Sequence, residues 1–210
     1  MDSFENQLLI AMPSLDDSYF NKTVTYICEH NAEGAMGLII NLPINVTLNE
    51  LLTQIDQDKV AAPELDQQVL TGGPVSQDRG FVLHSTQAGW NSSLVLTGGP
   101  VSQDRGFVLH STQAGWNSSL ALTADVMITT SKDILLALGT AQAPEKYMVT
   151  LGYAGWGPGQ LEEEIKANSW LLTPADGDII FNTPIEQRWK KATDKLGIDM
   201  AHLSSEVGHA

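Results

Sequence analysis

The sequence predicts an α+β domain built on a mixed, largely antiparallel sheet with flanking helices. Short β-branched and aromatic runs outnumber stretches with helical periodicity, and the two kinds do not alternate strictly along the chain. Several neighbouring runs are separated by short polar turns, which is typical of hairpins. The chain has 210 residues. That length suits one domain with a full hydrophobic core, so we expect a single domain over residues 1–210.

The first half of the chain predicts a strand at residues 7–12, ended by Pro13, and then a β-hairpin. Residues 23–29 form one apolar run, residues 30–34 a polar turn, and residues 36–41 a second apolar run. This alternation of apolar run, polar turn and apolar run indicates two paired antiparallel strands. The hairpin carries Cys28, the only cysteine, close to its polar turn.

Three helices are predicted from start and stop signals. Thr47 and Glu50 form a T-x-x-E capping box, and the apolar stripe that follows is Leu48, Leu51, Leu52 and Ile55. Ser131 is placed to cap a helix that ends before Gly139. A further helix is predicted to start at Thr183, with Thr183 as the N-cap, Pro184 at the first helical position and a capping box between Thr183 and Glu186. Gly197 is the predicted stop of this helix.

The remaining elements are read from shorter patterns. Strands are expected at residues 69–71, 81–84, 126–129, 147–151 and 179–182, with a turn at Gly72-Gly73-Pro74. Residues 152–159 are interpreted as a glycine-rich loop, and residues 161–170 as a helix. The run Glu162–Glu164 is interpreted as a solvated face near the start of that helix.

A 26-residue unit occurs twice in tandem. Residues 69–94 and 95–120 are identical. Both copies compete for one place in the sheet, so we expect one copy to be packed and the other to be extruded, as an exposed, disordered or exchanged segment.

Composition makes several function classes unfavourable. The net charge is −14, and no basic cluster appears beyond Arg188, Lys190 and Lys191. Such a surface repels phosphate backbones and anionic lipids, so direct nucleic-acid binding and membrane association are disfavoured. A lone cysteine forms no internal disulfide, and the N-terminus lacks the basic residues of a signal peptide. We therefore expect a cytoplasmic protein.

Five stretches resemble the AlgH/YqgE family of bacterial proteins: CEHNAEGAMGLIIN from Cys28, LTGGPVSQDRGFVLH from Leu70 and again from Leu96, TTSKDILLALG from Thr129, LGYAGWGPGQLEEEI from Leu151 and RWKKATDKLGID from Arg188. The resemblance implies a bifurcated sheet curled into a pseudo-barrel. It implies little chemistry, because the family is largely uncharacterised and some members are described as transcriptional regulators. The second copy of the repeat departs from the family pattern. The His, Asp and Arg that the family has in this stretch therefore each have two candidate residues here, one in each copy.

Cys28 and His30 form the candidate catalytic pair. Two residues apart on a strand, their side chains point to the same face, so the imidazole is a candidate base for a thiolate. The alternative is a small buried thiol beside a histidine of the turn, and we favour it. A zinc site needs a third ligand, such as His84 or His110, and nothing in the sequence places one nearby. We expect no metal and no cofactor.

The segment from Gly152 to Gln160 is the candidate ligand-binding region. Its glycines permit close backbone approach, and Tyr153, Trp156 and Gln160 offer flat or polar contacts. The alternative is that the glycines only permit tight packing against the sheet. The repeat adds further candidate ligand-binding residues, one per copy, namely His84 and His110, and Arg79 and Arg105. The Asp-Arg pairs 78–79 and 104–105 are also interpreted as surface ion pairs.

No G-x-S-x-G, H-E-x-x-H or C-x-x-C motif occurs. We therefore expect a non-enzymatic regulatory or interaction protein, acting through a protein partner or a small ligand, with any effect on transcription being indirect. The alternative is a hydrolase-like enzyme that uses Cys28 and His30 beside the 152–160 segment. Direct DNA binding is a third hypothesis, and no helix-turn-helix or metal finger supports it.

Overall fold

The structure, a computed structural model, describes residues 3–13, 15, 17, 19–56, 62–85, 119–130 and 132–198. Within these ranges, the side chains of five residues are not described, namely Arg79, Phe81, His84, Ser85 and Lys132. The chain forms two compact units, one from residues 1–42 with 153–210 and the other from residues 43–152. No helix among the described residues is long and apolar enough to cross a membrane.

The elements follow one another without strict alternation. The strands are β1 (Gln7–Ala11), β2 (Val24–Asn31), β3 (Gly34–Ile39), β4 (Pro43–Thr47), β5 (Gln68–Thr71), β6 (Val75–Ser85), β7 (Ser119–Ala121), β8 (Val126–Thr129), β9 (Tyr147–Trp156) and β10 (Trp170–Pro174). The α-helices are α1 (Leu48–Ile55), α2 (Lys132–Ala137), α3 (Gln160–Lys166) and α4 (Arg188–Lys195). Short 3₁₀ turns lie at Pro63–Leu65 and Ile185–Gln187, and a π-helix at Asp178–Asn182.

The first unit is an antiparallel sheet in the order β10-β1-β2-β3, followed by the last residues of β9. The hairpin predicted at residues 23–41 is confirmed as β2 and β3, with Thr25 opposite Ile39. Its core contains Leu9, Ile27, Trp156 and Trp170. Burying aliphatic and aromatic side chains of this size supplies most of the free energy that holds the unit together.

The second unit contains the first residues of β9, followed in order by β6, β8 and β7. β5 pairs in parallel with β9 and antiparallel with β4, so the strands branch at β9. The capping box that starts α1 is confirmed: the amide of Thr47 donates to Glu50, and the amide of Glu50 donates to Oγ1 of Thr47. As predicted, α2 ends before Gly139. The φ of Gly139 is 76°, which is left-handed and does not allow the helix to continue.

The predicted fold class is confirmed as an α+β fold with a mixed, largely antiparallel sheet and flanking helices. The sheet branches at β9, as expected for a bifurcated sheet. It is not closed among the described strands, because its strand order ends at β10 and at β7. The expected pseudo-barrel therefore does not extend to a closed ring of hydrogen bonds.

Three predicted elements are wrong, and so is the capping box predicted at Thr183, whose hydroxyl donates to the carbonyl of Asp178 while α4 begins at Arg188 without a side-chain cap. Residues 152–156 continue strand β9 instead of forming a loop, because they pair with β3. Trp170 opens strand β10 instead of ending a helix, because α3 stops at Lys166 and Asn168 adopts a φ of 59°. Residues 179–182 are helical instead of extended, because the amide of Thr183 donates to the carbonyl of Asp178 five residues earlier. In each place a long-range pairing or a local hydrogen bond outweighs the residue pattern.

Candidate functional site

Cys28 lies on β2 at a β-bulge. Ile27 pairs with Gly37 and Glu29 pairs with Met36, so Cys28 is the extra residue on this strand. The residue is only 7% exposed, and its thiol donates to the carbonyl oxygen of Tyr26 over 3.7 Å. Burial raises the pKa of the Cys28 thiol far above its ordinary value, and the neighbouring charge of Glu29 raises it further. The thiol is therefore protonated at neutral pH and is a poor nucleophile.

His30 lies at the end of β2 with both ring nitrogens in hydrogen bonds. The backbone amide of Phe4 donates to Nδ1 over 3.1 Å, so this nitrogen carries no proton. Nε2 therefore carries the hydrogen, and it lies 3.1 Å from Oε1 of Glu162 on α3. The ring of Phe4 stacks on the imidazole with a centroid distance of 4.6 Å. His30 thus fills a structural position between the N-terminal segment and α3.

The backbone of His30 also holds the N-terminal segment. The hydroxyl of Ser3 donates to the His30 carbonyl over 3.2 Å, and the His30 amide donates to Oε1 of Glu5 over 3.3 Å. Three consecutive residues, Ser3, Phe4 and Glu5, therefore contact one residue of β2. This arrangement holds residues 3–5 against β2.

Glu162 has a carboxylate that the surrounding donors favour in its charged form. Its own backbone N–H at the start of α3 is the main cause that lowers the pKa of Glu162, and the hydrogen bond and charge of His30 add to it. Lys166 contributes in the same direction from one turn later. The carboxylate therefore stays charged at neutral pH and holds the His30 ring there.

A second carboxylate, Glu164, lies between two buried indoles. Nε1 of Trp156 and Nε1 of Trp170 both donate to Oε2 of Glu164, over 2.9 Å and 2.8 Å. Nε2 of Gln160 donates to Oε1 of the same side chain over 2.9 Å. The prediction of a solvated Glu162–Glu164 face is therefore wrong for its first and third residues, and only Glu163 is exposed. Indole N–H groups need such an acceptor when they are buried.

The candidate ligand-binding residues occupy different environments. Trp156 is 7% exposed and belongs to the hydrophobic core of the first unit, so it offers no open flat surface. Gln160 accepts from the amide of Gly157 over 3.0 Å and begins α3, while Tyr153 is half-buried on β9. The side chains of Arg79 and His84, and the whole of Arg105 and His110, lie outside the described residues.

Arg188 is a buried charge that sequence reasoning assigned to a surface cluster. It is 7% exposed, its Nε donates to the carbonyl of Thr183 over 3.0 Å, and its Nη1 donates to the carbonyl of Ile40. Burial lowers the pKa of Arg188 to about 10, although the charge of Glu186 opposes this. The guanidinium links the end of β3 to the turn before α4, and no sequence signal distinguishes it from an exposed arginine.

No group of three or more His, Cys, Asp or Glu side chains in the described part of the chain is arranged to hold a metal ion. Sequence reasoning missed Phe4, Glu162, Glu164 and Trp170 as contact residues. His30 and Glu162 are separated by 132 positions, so no local pattern links them.

The comparisons with known proteins now decide the family. The model of the AlgH-like family, DUF179, matches residues 8–96 and 86–201. The chain belongs to the AlgH-like family. The two family matches overlap at residues 86–96, which span the junction between the two repeat copies. The resemblance inferred from the five sequence stretches is therefore confirmed.

Curated relatives in the family carry the name UPF0301 protein. The one from Colwellia psychrerythraea strain 34H is 64% identical over an alignment of 236 positions, which covers all of both chains. The one from Pseudoalteromonas translucida is 51% identical over 211 residues, again with full coverage of both. These names assign no reaction and no ligand.

Two solved structures resemble the AlgH-like chain over almost its full length. The solution structure of the AlgH protein from Pseudomonas aeruginosa has a TM-score of 0.71 and 37% identity, covering 99% of this chain and 96% of that chain. A crystal structure of a Corynebacterium diphtheriae protein has a TM-score of 0.68 at 18% identity, covering 98% and 93%. The second comparison supports the fold alone.

Proposed function

We propose that this AlgH-like protein is a non-enzymatic regulatory or interaction protein that binds a protein partner or a small ligand. The observation that carries the proposal is the state of Cys28 and His30, the one constellation in the sequence that suggested catalysis. The thiol is buried, burial raises its pKa, and both ring nitrogens of His30 already have partners. The residues are used to hold the structure together.

The alternative, a hydrolase-like enzyme, needs a thiolate and an adjacent imidazole that can take its proton. The Cys28 thiol donates to a backbone carbonyl of its own strand, not to the ring of His30. The ring in turn accepts from Phe4 and donates to Glu162, so neither nitrogen is available as a base. A shift to the catalytic arrangement would require Nδ1 to exchange the hydrogen bond from Phe4 for one from the Cys28 thiol.

Charge favours a partner with a basic surface over a nucleic acid. The only basic cluster in the sequence, around α4, is largely neutralised: Lys190 pairs with Asp194 and Lys191 pairs with Asp178. Arg188, the third member of that cluster, is buried. These three residues therefore form no cationic patch on α4 that could offset the net charge of −14 for a nucleic acid. We propose that any effect of this protein on transcription is indirect, through another protein.

Thiol reactivity separates the binding protein from the enzyme. We expect a chromogenic disulfide reagent to modify Cys28 of the native protein at least about 100-fold more slowly than the same cysteine in urea, because reaction requires the thiolate and access to it. The Cys28→Ala variant controls for background reaction. Rapid modification of the native protein, together with turnover in a panel of ester, thioester and peptide substrates that Cys28→Ala abolishes, would establish the enzyme instead.

DNA binding is tested in the same preparation by the fluorescence anisotropy of a labelled duplex at about 50 mM salt, where electrostatic binding is strong. We expect no change in anisotropy. Binding that weakens steeply as salt rises would contradict the proposal that the protein acts without direct DNA contact.

A further inference from the structure

The two identical copies of the 26-residue unit contribute unequally to the sheet of the second unit. All of β6 (Val75–Ser85) and all but the first residue of β5 come from the first copy, residues 69–94. β7 (Ser119–Ala121) begins with the last two residues of the second copy, residues 95–120. The described strands therefore use the beginning of one copy and the end of the other.

Chain connectivity decides the origin of two of these three strands. β5 pairs with β4 through Gln68, opposite Thr47, and Gln68 precedes only the first copy. β7 pairs with β8 through Ala121, opposite Met127, and Ala121 follows only the second copy. If either strand came from the other copy, a different residue would occupy its pairing position.

Strand β6 is the one element that either copy could supply. It pairs with β8 through Val82, opposite Thr129, and Leu83, opposite Ile128. Val108 and Leu109 occupy the same positions in the second copy. Because the two sequences are identical, side-chain packing against β8 cannot distinguish them.

The lengths of the connections distinguish the two copies. With β6 from the first copy, residues 72–74 link it to β5 in the sequence, and residues 86–118, which lie outside the described residues, link it to β7. With β6 from the second copy, the same two connections would be residues 72–100 and residues 112–118. The entropy of closing a connection depends on the logarithm of its length. Placing the surplus after β6 lengthens one connection less than fivefold, whereas placing it before β6 lengthens the other nearly tenfold.

The short turn between β5 and β6 also packs closely against β9. The amide of Gly72 donates to the carbonyl of Leu151 on β9 over 2.7 Å. A Cβ built on Gly152 would lie 2.5 Å from the carbonyl oxygen of Gly73 and 2.9 Å from that of Val75, so the turn and β9 pack backbone against backbone. These contacts favour a β6 that directly follows β5.

We propose that one composite unit completes the sheet, with residues 69–85 taken from the first copy and residues 119–120 from the second. The surplus repeat length then lies entirely within the 86–118 connection. Neither copy is used whole, which differs from a simple choice of one copy over the other. The stability of the protein consequently depends on some positions of each copy and not on their identical counterparts.

Matched substitutions at identical repeat positions test this proposal in the full chain. Leu83 is fully buried, so Leu83→Ala is expected to lower the midpoint of thermal unfolding by about 5–15 °C, whereas Leu109→Ala leaves it unchanged. At the other end of the unit the order reverses: Leu120→Ala destabilises, and Leu94→Ala does not. If Leu83→Ala fails to fold, the milder pair Leu83→Met and Leu109→Met is used in its place.

A chain with one copy serves as the reference. Deleting any consecutive stretch of one repeat length between positions 69 and 120 leaves the same sequence, and Leu83→Ala must destabilise that chain as it does the full chain. Equal effects of Leu83→Ala and Leu109→Ala, a larger effect of Leu109→Ala, or no effect of either would overturn the composite unit. A midpoint that rises with protein concentration in the full chain and not in the one-copy chain would also overturn it, because association would then depend on the surplus copy, as in strand exchange between chains.

Discussion

Nε2 of His30 lies 3.1 Å from Oε1 of Glu162, although the two residues are 132 positions apart in the chain. The contact joins the end of β2 to the first turn of α3, and the amide of Phe4 closes the other side of the imidazole. These two hydrogen bonds fix the orientation of the imidazole and hold Phe4 and Glu162 beside it. This relationship is the basis for assigning a structural role to a residue that the sequence offered as a catalytic base.

The carboxylate of Glu162 makes the stability of the protein depend on pH in the acidic range. Because the pKa of Glu162 is lowered from 4.5 on folding, its contribution is fully present above pH 4.5 and is lost as the pH falls through the lower folded value. As the pH is lowered from about 5 to about 3, we expect the free energy of unfolding to fall less in Glu162→Gln than in wild type. Urea unfolding at several pH values measures this, with the exposed Glu163→Gln as the control. Parallel pH profiles of wild type and Glu162→Gln would contradict the prediction.

Removal of the Glu164 carboxylate leaves two buried indole N–H groups without an acceptor. We expect Glu164→Ala to lower the free energy of unfolding by about 2–3 kcal/mol, since each unsatisfied buried donor costs about 1–3 kcal/mol. Glu164→Gln keeps an acceptor oxygen and should cost less. The neighbouring Glu163→Ala, at an exposed position, should stay within about 0.5 kcal/mol of wild type. Urea unfolding followed by tryptophan fluorescence reads out both stability and the environment of the indoles.

The buried guanidinium of Arg188 satisfies two backbone carbonyls at once. Arg188→Ala leaves the carbonyls of Ile40 and Thr183 without this donor, and we expect a loss of about 3 kcal/mol. Arg188→Lys should recover little of it, because a single ammonium lacks the fork of donors that reaches both oxygens. Lys190→Ala on the same helix removes only an exposed ion pair and should cost under about 1 kcal/mol. Equal stability of Arg188→Lys and wild type would show that the guanidinium geometry is unimportant.

Gly34 lies at the turn of the β2–β3 hairpin with a φ of 132°. A Cβ at this position would lie 2.2 Å from the carbonyl oxygen of Trp156, so Gly34→Ala must displace the backbone of β9. We expect a loss of more than about 2 kcal/mol, by comparison with the roughly 1–3 kcal/mol typical of strained backbone alone. Gly177→Ala is the matched control, because no atom lies within 4 Å of its Cβ. Thermal unfolding of the two variants should give shifts of clearly different size.

The elements that were predicted correctly are those whose information is local. The capping box of Thr47 and Glu50 and the stop at Gly139 each depend on residues within one or two turns of a helix. The β2–β3 hairpin depends on two runs joined by a short polar turn. Such signals act on neighbouring residues, so they can be read without knowledge of the fold.

The elements that were missed depend on partners elsewhere in the chain. β10 is a strand because Leu172 pairs with Leu9, and the end of β9 is a strand because Trp156 pairs with Ala35. Glycine-rich and mixed patterns of this kind permit several conformations, and the pairing selects one. The same reason explains the site, where Glu162 and Glu164 looked like part of a solvated acidic run until their partners on other strands were known.

By itself, the sequence determined the α+β class, the family, the acidic charge, the central hairpin and the presence of a duplicated unit, because composition, motifs and short-range periodicity encode them. Only the tertiary structure decided that Cys28 is buried at a bulge, that His30 is held between Phe4 and Glu162, and that the described strands β6 and β7 begin in different repeat copies. Those features depend on strand pairing and on contacts such as that of His30 with Glu162, 132 positions away. Such contacts form when the strands pair.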